Sequence, residues 1–130
     1  MDVISTVLLD DAPGWIGRAD ITVAADGTWI LVYRHANSHR PVSGSRYVIR
    51  LSPDEGHTWS EPNRTIDGDP IVGFPYDPVH DTNDAIVTTI PTGDLLFFSG
   101  DIKPDGPRLE PRQLRSSDDG RHWSDEGRCR

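Results

Sequence analysis

Apolar positions in this chain fall in short runs separated by turn residues. Ala19 to Ala24 alternates, with Ile21 and Val23 on one face, the two-residue period of a strand. Asp26-Gly27 is a favoured two-residue hairpin signal. It leads into Trp29-Ile30-Leu31-Val32-Tyr33, a near-continuous apolar run that suits a strand covered on both faces. A polar segment, Arg34 to Ser45, reads as a loop, and Arg46 to Leu51 as a third strand. The order then returns: strand from Asp84 to Ile90, turn at Pro91-Thr92-Gly93-Asp94, apolar strand at Leu95-Leu96-Phe97-Phe98, loop from Asp101 to Glu110, strand at Gln113-Leu114-Arg115. Gly27 and Gly93 lie 66 residues apart. Residues 3 to 9 read as a further short strand, and no helical period is present.

Each unit runs into the same motif. Ser52-Pro53-Asp54-Glu55-Gly56-His57-Thr58-Trp59 is matched 64 residues later by Ser116-Ser117-Asp118-Asp119-Gly120-Arg121-His122-Trp123. Serine and aspartate side chains can bond backbone N–H groups one or two residues on, and glycine supplies the positive φ of a tight turn. Tryptophan then lies back over the hairpin and buries a large apolar face. Ser52, Asp54, Gly56, Trp59 and Ser116, Asp118, Gly120, Trp123 are therefore read as structural.

This S-x-D-x-G-x-[T/H]-W pattern resembles the Asp-box (BNR) repeat of sialidases and other β-propeller proteins. The resemblance implies an all-β chain: two four-stranded antiparallel blades of a six-bladed sialidase-like propeller. Blade one spans about 17–80 with its box at 52–59, and blade two about 81–130 with its box at 116–123. The turn-rich connection from Ser60 to Asp81 is expected to hold the outer strand of blade one. Two blades do not close a ring. The chain is thus expected to be the N-terminal third of a longer propeller.

Composition narrows the partners. Eleven prolines and twelve glycines agree with short strands and many turns, and a net charge of −8 argues against nucleic acid and anionic membranes. Cys129 is the single cysteine, so there is neither a disulfide framework nor a thiol metal cluster. The apolar run near Met1 is short and lacks a basic flank, unlike a signal peptide or membrane span, which leaves the cytoplasm as the default location.

In the sialidase family, three arginines bind the sugar carboxylate, a tyrosine paired with a glutamate is the nucleophile, and an aspartate is the acid/base. The first family arginine opens the innermost strand of blade one in an Arg-Ile-Pro context. Here Arg18-Ala19-Asp20 stands in that place and only the arginine matches. A planar guanidinium suits a carboxylate because it donates two parallel bonds. Arg34 and Asp84, the latter at the repeat offset from Arg18, are further substrate-binding candidates. The family aspartate has no counterpart, since no Asp or Glu occurs between Asp26 and Asp54. His35 and His39 remain as weak proton-shuttle candidates, and their spacing on a loop does not make a metal pair. Tyr33, Tyr47 and Tyr76 read as packing residues. The resemblance implies a carbohydrate substrate or ligand, no cofactor and no metal. It also implies no turnover by these residues alone, with a non-catalytic glycan- or protein-binding propeller as the alternative.

Overall fold

The computed structural model describes residues 14–36, 46–75, 85–100 and 110–129. Seven strands are present among them: β1 (Trp15–Val23), β2 (Trp29–Ala36), β3 (Arg46–Ser52), β4 (Ala85–Thr89), β5 (Leu95–Ser99), β6 (Arg112–Ser116) and β7 (Ser124–Arg128). They form two antiparallel sheets, ordered β1-β2-β3 and β4-β5-β6-β7, and no helix occurs among the described residues. The chain is all-β and its sheets are blade-like, as expected. The strand expected at residues 3 to 9 lies outside the described residues.

Both hairpins close alike. Ala24 N–H donates to Thr28 O and Gly27 N–H to Ala24 O; Ile90 N–H donates to Asp94 O and Gly93 N–H to Ile90 O. Three residues lie between each closing pair, where two were expected in the first hairpin and a four-residue turn in the second, with Gly27 and Gly93 in the left-handed region at φ 90° and 92°. Asp26 Oδ1 accepts Thr28 N–H and fixes the first turn.

Two strand assignments differ from the sequence reading. Arg34, His35 and Ala36 continue β2 instead of opening a loop, because Gly17, Ile16 and Trp15 on one side and Tyr47 and Arg46 on the other extend the ladder past Tyr33. The outer strand of the second sheet, β7, is polar throughout and carries no apolar signal. Ion pairs from Arg112 to Asp125 and from Arg115 to Glu126 accompany its pairing with β6.

The first sheet has three strands where four were expected: among the described residues between Ser60 and Asp81 no outer strand forms, and at the edge of β3 residues 60–63 only run alongside. Ser60 N–H donates to Leu51 O and Asn63 N–H to Ile49 O, while Ser60 Oγ and Asn63 Oδ1 accept from Leu51 and Ile49 N–H. Pro62 has no N–H to offer and Asn63 sits at φ 63°, so side-chain oxygens stand in where backbone carbonyls would pair.

The core lies between the sheets. Cross-strand partners share a face, so the pairs Ile30–Leu51, Val32–Ile49 and Arg34–Tyr47 project together, and Asp20 and Thr22 of β1 join them. They meet Val87, Leu95, Phe97 and Leu114 of the second sheet, with Tyr47 edge-on to Phe97 at 5.2 Å. At the inner strands the contact is polar: Val87 N–H donates to Asp20 Oδ2 at 3.0 Å, and Thr22 and Thr89 share a hydroxyl bond at 2.9 Å. A strap at 71–74 closes the layer, its Val72 paired in parallel with His122 and its Phe74 packed 4.7 Å from Phe97 and 5.7 Å from Trp123.

Candidate functional site

The sheets have two unlike ends. Ser52 pairs with Trp29 and Trp29 with Val23, which puts the hairpin turns and the repeated motif at one end. Arg18, Arg34, His35 and Arg46 lie towards the other. At the motif end the polar groups are engaged. Ser52 Oγ donates to Asp54 Oδ1 and accepts Gly56 N–H, Asp54 accepts both the N–H and the hydroxyl of Thr58, and Trp59 Nε1 donates to Gly56 O. The second copy repeats this with Ser116, Asp118, Gly120 and Trp123, and His122 supplies its N–H and ring nitrogen where Thr58 stood.

These bonds favour ionised carboxylates. The Thr58 hydroxyl and N–H hold Asp54 below the usual carboxylate range. Burial pushes Asp118 upward, but bonds from His122 and Ser116 outweigh it and leave that carboxyl lowered too. Asp26 is likewise lowered: burial opposes, and Thr28 and Arg121 prevail, Arg121 lying 3.6 Å away across the sheet boundary. A depression of about 620 Å³ opens here beside Asp26, Asp54, Glu55, His57 and Arg121. Asp26 and Asp54 already serve the turns, which argues against a ligand role for this end.

At the other end the backbone departs from regular pairing. The register of β1 on β2 shifts between Gly17 and Asp20, and Arg18, inside this bulge, adopts φ 55°. A non-glycine residue at positive φ is held there by its surroundings, and bulges re-aim side chains. Arg18 is exposed and lines a depression of about 250 Å³ with Ala19, Asp20, Ala85 and Ile86, between the innermost strands of both sheets. Asp20 is the acidic group in its lining. Its oxygens accept Ile21 and Val87 N–H, so it works as a clip between sheets. In the sequence Asp20 is marked only by being an acid inside the alternating pattern of Ala19, Ile21 and Val23.

The other candidates separate. Arg34 is 1% exposed, engaged within the inter-sheet face beside Tyr47. Ser99 enters the same face from β5, also 1% exposed, and its Oγ finds no hydrogen-bond partner among the described residues. His35, next along β2 from Arg34, projects from the opposite face, where Arg46 donates to its Nδ1 at 3.0 Å. That bond puts the neutral ring's proton on Nε2. Tyr33 and Tyr47 are buried in the sheets. His39, Asp84 and Tyr76 lie outside the described residues. Arg18 thus lines a surface depression whose described lining does not include Arg34 or His35. No group of three or more metal-ligating side chains occurs among the described residues.

Comparison with solved structures gives several likenesses of fold, two of which are described. The Hadza microbial sialidase Hz136 superposes at a TM-score of 0.61 with 22% identity, over 88% of this chain and 24% of that one. The likeness is one of fold. A protein of unknown function from Dyadobacter fermentans superposes at a TM-score of 0.55 with 21% identity, over 82% of this chain and 26% of that one. The chain therefore spans about a quarter of the length of the structures it matches. No family model and no curated protein matches the sequence. No helix among the described residues is long and apolar enough to cross a membrane.

Proposed function

We propose that these residues form two blades of a sialidase-like propeller acting on terminal sugars of glycans, and that Arg18 is the chain's contribution to holding the sugar carboxylate. The observation that carries this is the bulge. An arginine at φ 55° on the innermost strand lines an open depression at the end away from the structural turns. A guanidinium held there can meet a carboxylate with two parallel bonds. The fold likeness to a sialidase supports the same reading. Chemistry would need an acid/base and a nucleophile from elsewhere, because Asp20 is committed to Val87 N–H and no acid occurs between Asp26 and Asp54.

Saturation-transfer NMR with a sialic-acid-terminated trisaccharide tests the binding half. The wild-type chain is expected to show weak transfer to the sialic acid ring, Arg18→Ala to lose it and Arg18→Lys to keep part. Transfer unchanged in Arg18→Ala, or equal to that of the asialo sugar, would refute it. The missing acid favours a second reading, a non-catalytic glycan-binding propeller. In the protein from which the chain comes, hydrolysis of a fluorogenic sialoside separates the two: turnover supports the hydrolase, and binding without turnover the lectin-like reading.

A further inference from the structure

β1 and β4 are each an edge of their sheet, so every second N–H and C=O along them lacks a ladder partner. Side chains join the two edges instead. Thr89 Oγ1 donates to Val23 O at 2.7 Å and lies 2.9 Å from Thr22 Oγ1, and further along the strands Asp20 Oδ2 accepts Val87 N–H at 3.0 Å. Among the described residues this seam ends at Asp20. Past it come Arg18 and Ala19 on β1 and Ala85 and Ile86 on β4, which with Asp20 line the depression of about 250 Å³. Asp20 is therefore the last tie before the innermost strands part.

The same residue closes the bulge. Gly17 pairs with Arg34 and Asp20 with Val32, so Arg18 and Ala19 together oppose the single Tyr33. In one common kind of bulge the first of the two residues sits in the left-handed region, where glycine is usual; here Arg18 stands there at φ 55°. An arginine keeps that conformation only if the chain on either side of it is fixed. On one side the ladder through Trp15, Ile16 and Gly17 fixes it. On the other it is Asp20, which re-enters the ladder while its Oδ1 accepts Ile21 N–H and its Oδ2 accepts Val87 N–H. The repeat does not need this acid to fold. The equivalent position of β4 is Ile86, and the second sheet forms with no carboxylate there.

We infer that Asp20 is a positioning residue for Arg18: by tying both innermost strands directly behind the bulge, it sets the direction in which the guanidinium leaves β1 and the width of the depression it lines. The inference rests on the reading of Arg18 as the group that holds the sugar carboxylate. A guanidinium gives two parallel bonds only when its plane is aimed, so loosening its base weakens binding. An ammonium, a point charge on a flexible stem, is much less sensitive to aim.

Calorimetric titration of the protein from which the chain comes with a sulfur-linked sialoside, which resists cleavage, reads the effect as a dissociation constant, each variant first shown to be folded by circular dichroism. Asp20→Ala is expected to weaken binding about tenfold, and Asp20→Asn, which keeps one acceptor oxygen, by less. Thr89→Val removes the neighbouring ties of the same seam and should lower stability while leaving the constant unchanged. In an Arg18→Lys background, Asp20→Ala should have little further effect. Wild-type affinity in both Asp20 variants, a loss in Thr89→Val equal to that in Asp20→Ala, or the same loss from Asp20→Ala with and without Arg18→Lys would each overturn the inference, the last by showing that Asp20 touches the ligand itself. Should Asp20→Ala fail to fold, Asp20→Asn carries the same comparisons. Arg18→Ala checks the reading beneath: no binding by wild type, or wild-type affinity in Arg18→Ala, overturns the carboxylate role of Arg18 and this inference with it. Loss in Arg18→Ala with retention in both Asp20 variants overturns the inference alone.

Discussion

Replacing either motif tryptophan by alanine should separate the two copies energetically. Trp123 is 6% exposed, edge-on to Phe74 at 5.7 Å and to Phe97 at 6.4 Å, and its Nε1 donates to Gly120 O. Trp59 makes the equivalent bond to Gly56 O but remains half-buried. The difference is the strap: Phe74 and Gly73 lie over Trp123, and the described residues place no such layer over Trp59. Truncating a buried tryptophan costs about 3–5 kcal/mol, and aromatic edge contacts contribute about 0.5–1.5 kcal/mol of their own. Trp123→Ala should therefore cost about 4 kcal/mol. Trp59→Ala, giving up roughly half the burial and no ring pair among the described residues, should cost about 2 kcal/mol. Urea titrations read this as a fall in midpoint at unchanged slope, with Trp123→Phe as an intermediate that keeps ring packing and loses the indole N–H. Equal losses for the two alanine variants, or a loss under about half a kcal/mol for Trp123→Ala, would refute the assignment of Trp123 to the core.

Gly73→Ala should be at least as damaging for its size, because a Cβ there would lie 2.0 Å from Trp123 O at a φ of 82°; a midpoint within error of wild type would contradict the close approach. Asp20→Ala removes the acceptor for Val87 N–H and should cost about 1–3 kcal/mol in the same titration, whereas an exposed acid would cost almost nothing. Ser99→Ala deletes a buried hydroxyl that has no partner among the described residues and should be neutral or stabilising; a loss above about 1 kcal/mol would show that the hydroxyl is bonded. Asp118, with its carboxyl lowered in the fold, contributes stability that is full above the ordinary carboxylate range and is lost as pH falls from about 4 downward. The gap between wild type and Asp118→Asn should accordingly shrink on acidification, and a pH-independent gap would refute the role of its charge.

What the sequence carried was local. The hairpins and both copies of the motif could be read because the bonds that close them run between residues at most four apart, from Ser52 to Gly56 and from Asp54 to Thr58. The apolar strands could be read because they alternate or run unbroken. What escaped depends on partners distant in sequence. Arg34 looks like the first residue of a polar loop, yet the ladder from Gly17 and Tyr47 keeps it in β2 and turns it inward. β7 is entirely polar and exists because β6 offers it an edge. The strap at 71–74 lies in a stretch rich in proline, glycine and aspartate, and its worth appears only when Phe74 reaches Trp123. Arg18 stands out in the sequence by resemblance alone; the bulge that presents it has no signature beyond Gly17.

The repeats themselves argue for where a ligand would bind. At the motif end Ser52 and Ser116, Asp54 and Asp118, Gly56 and Gly120, Trp59 and Trp123 are pairwise identical, because each copy must close the same turn with the same few bonds. Positions towards the opposite end share no such identity. The register that equates Val23 with Thr89 also equates Asp20 with Ile86, and along the sequence the same offset of 66 residues sets Arg18 against Asp84, Arg34 against Gly100 and His35 against Asp101. A cation replaced by an anion, and a guanidinium replaced by glycine, are not exchanges that a shared folding role tolerates. Sheet pairing constrains the backbone at these positions and leaves the side chains free to differ. Function is therefore to be sought where the two copies have parted, and Arg18, exposed on its bulge, is the described residue that combines this divergence with an open depression.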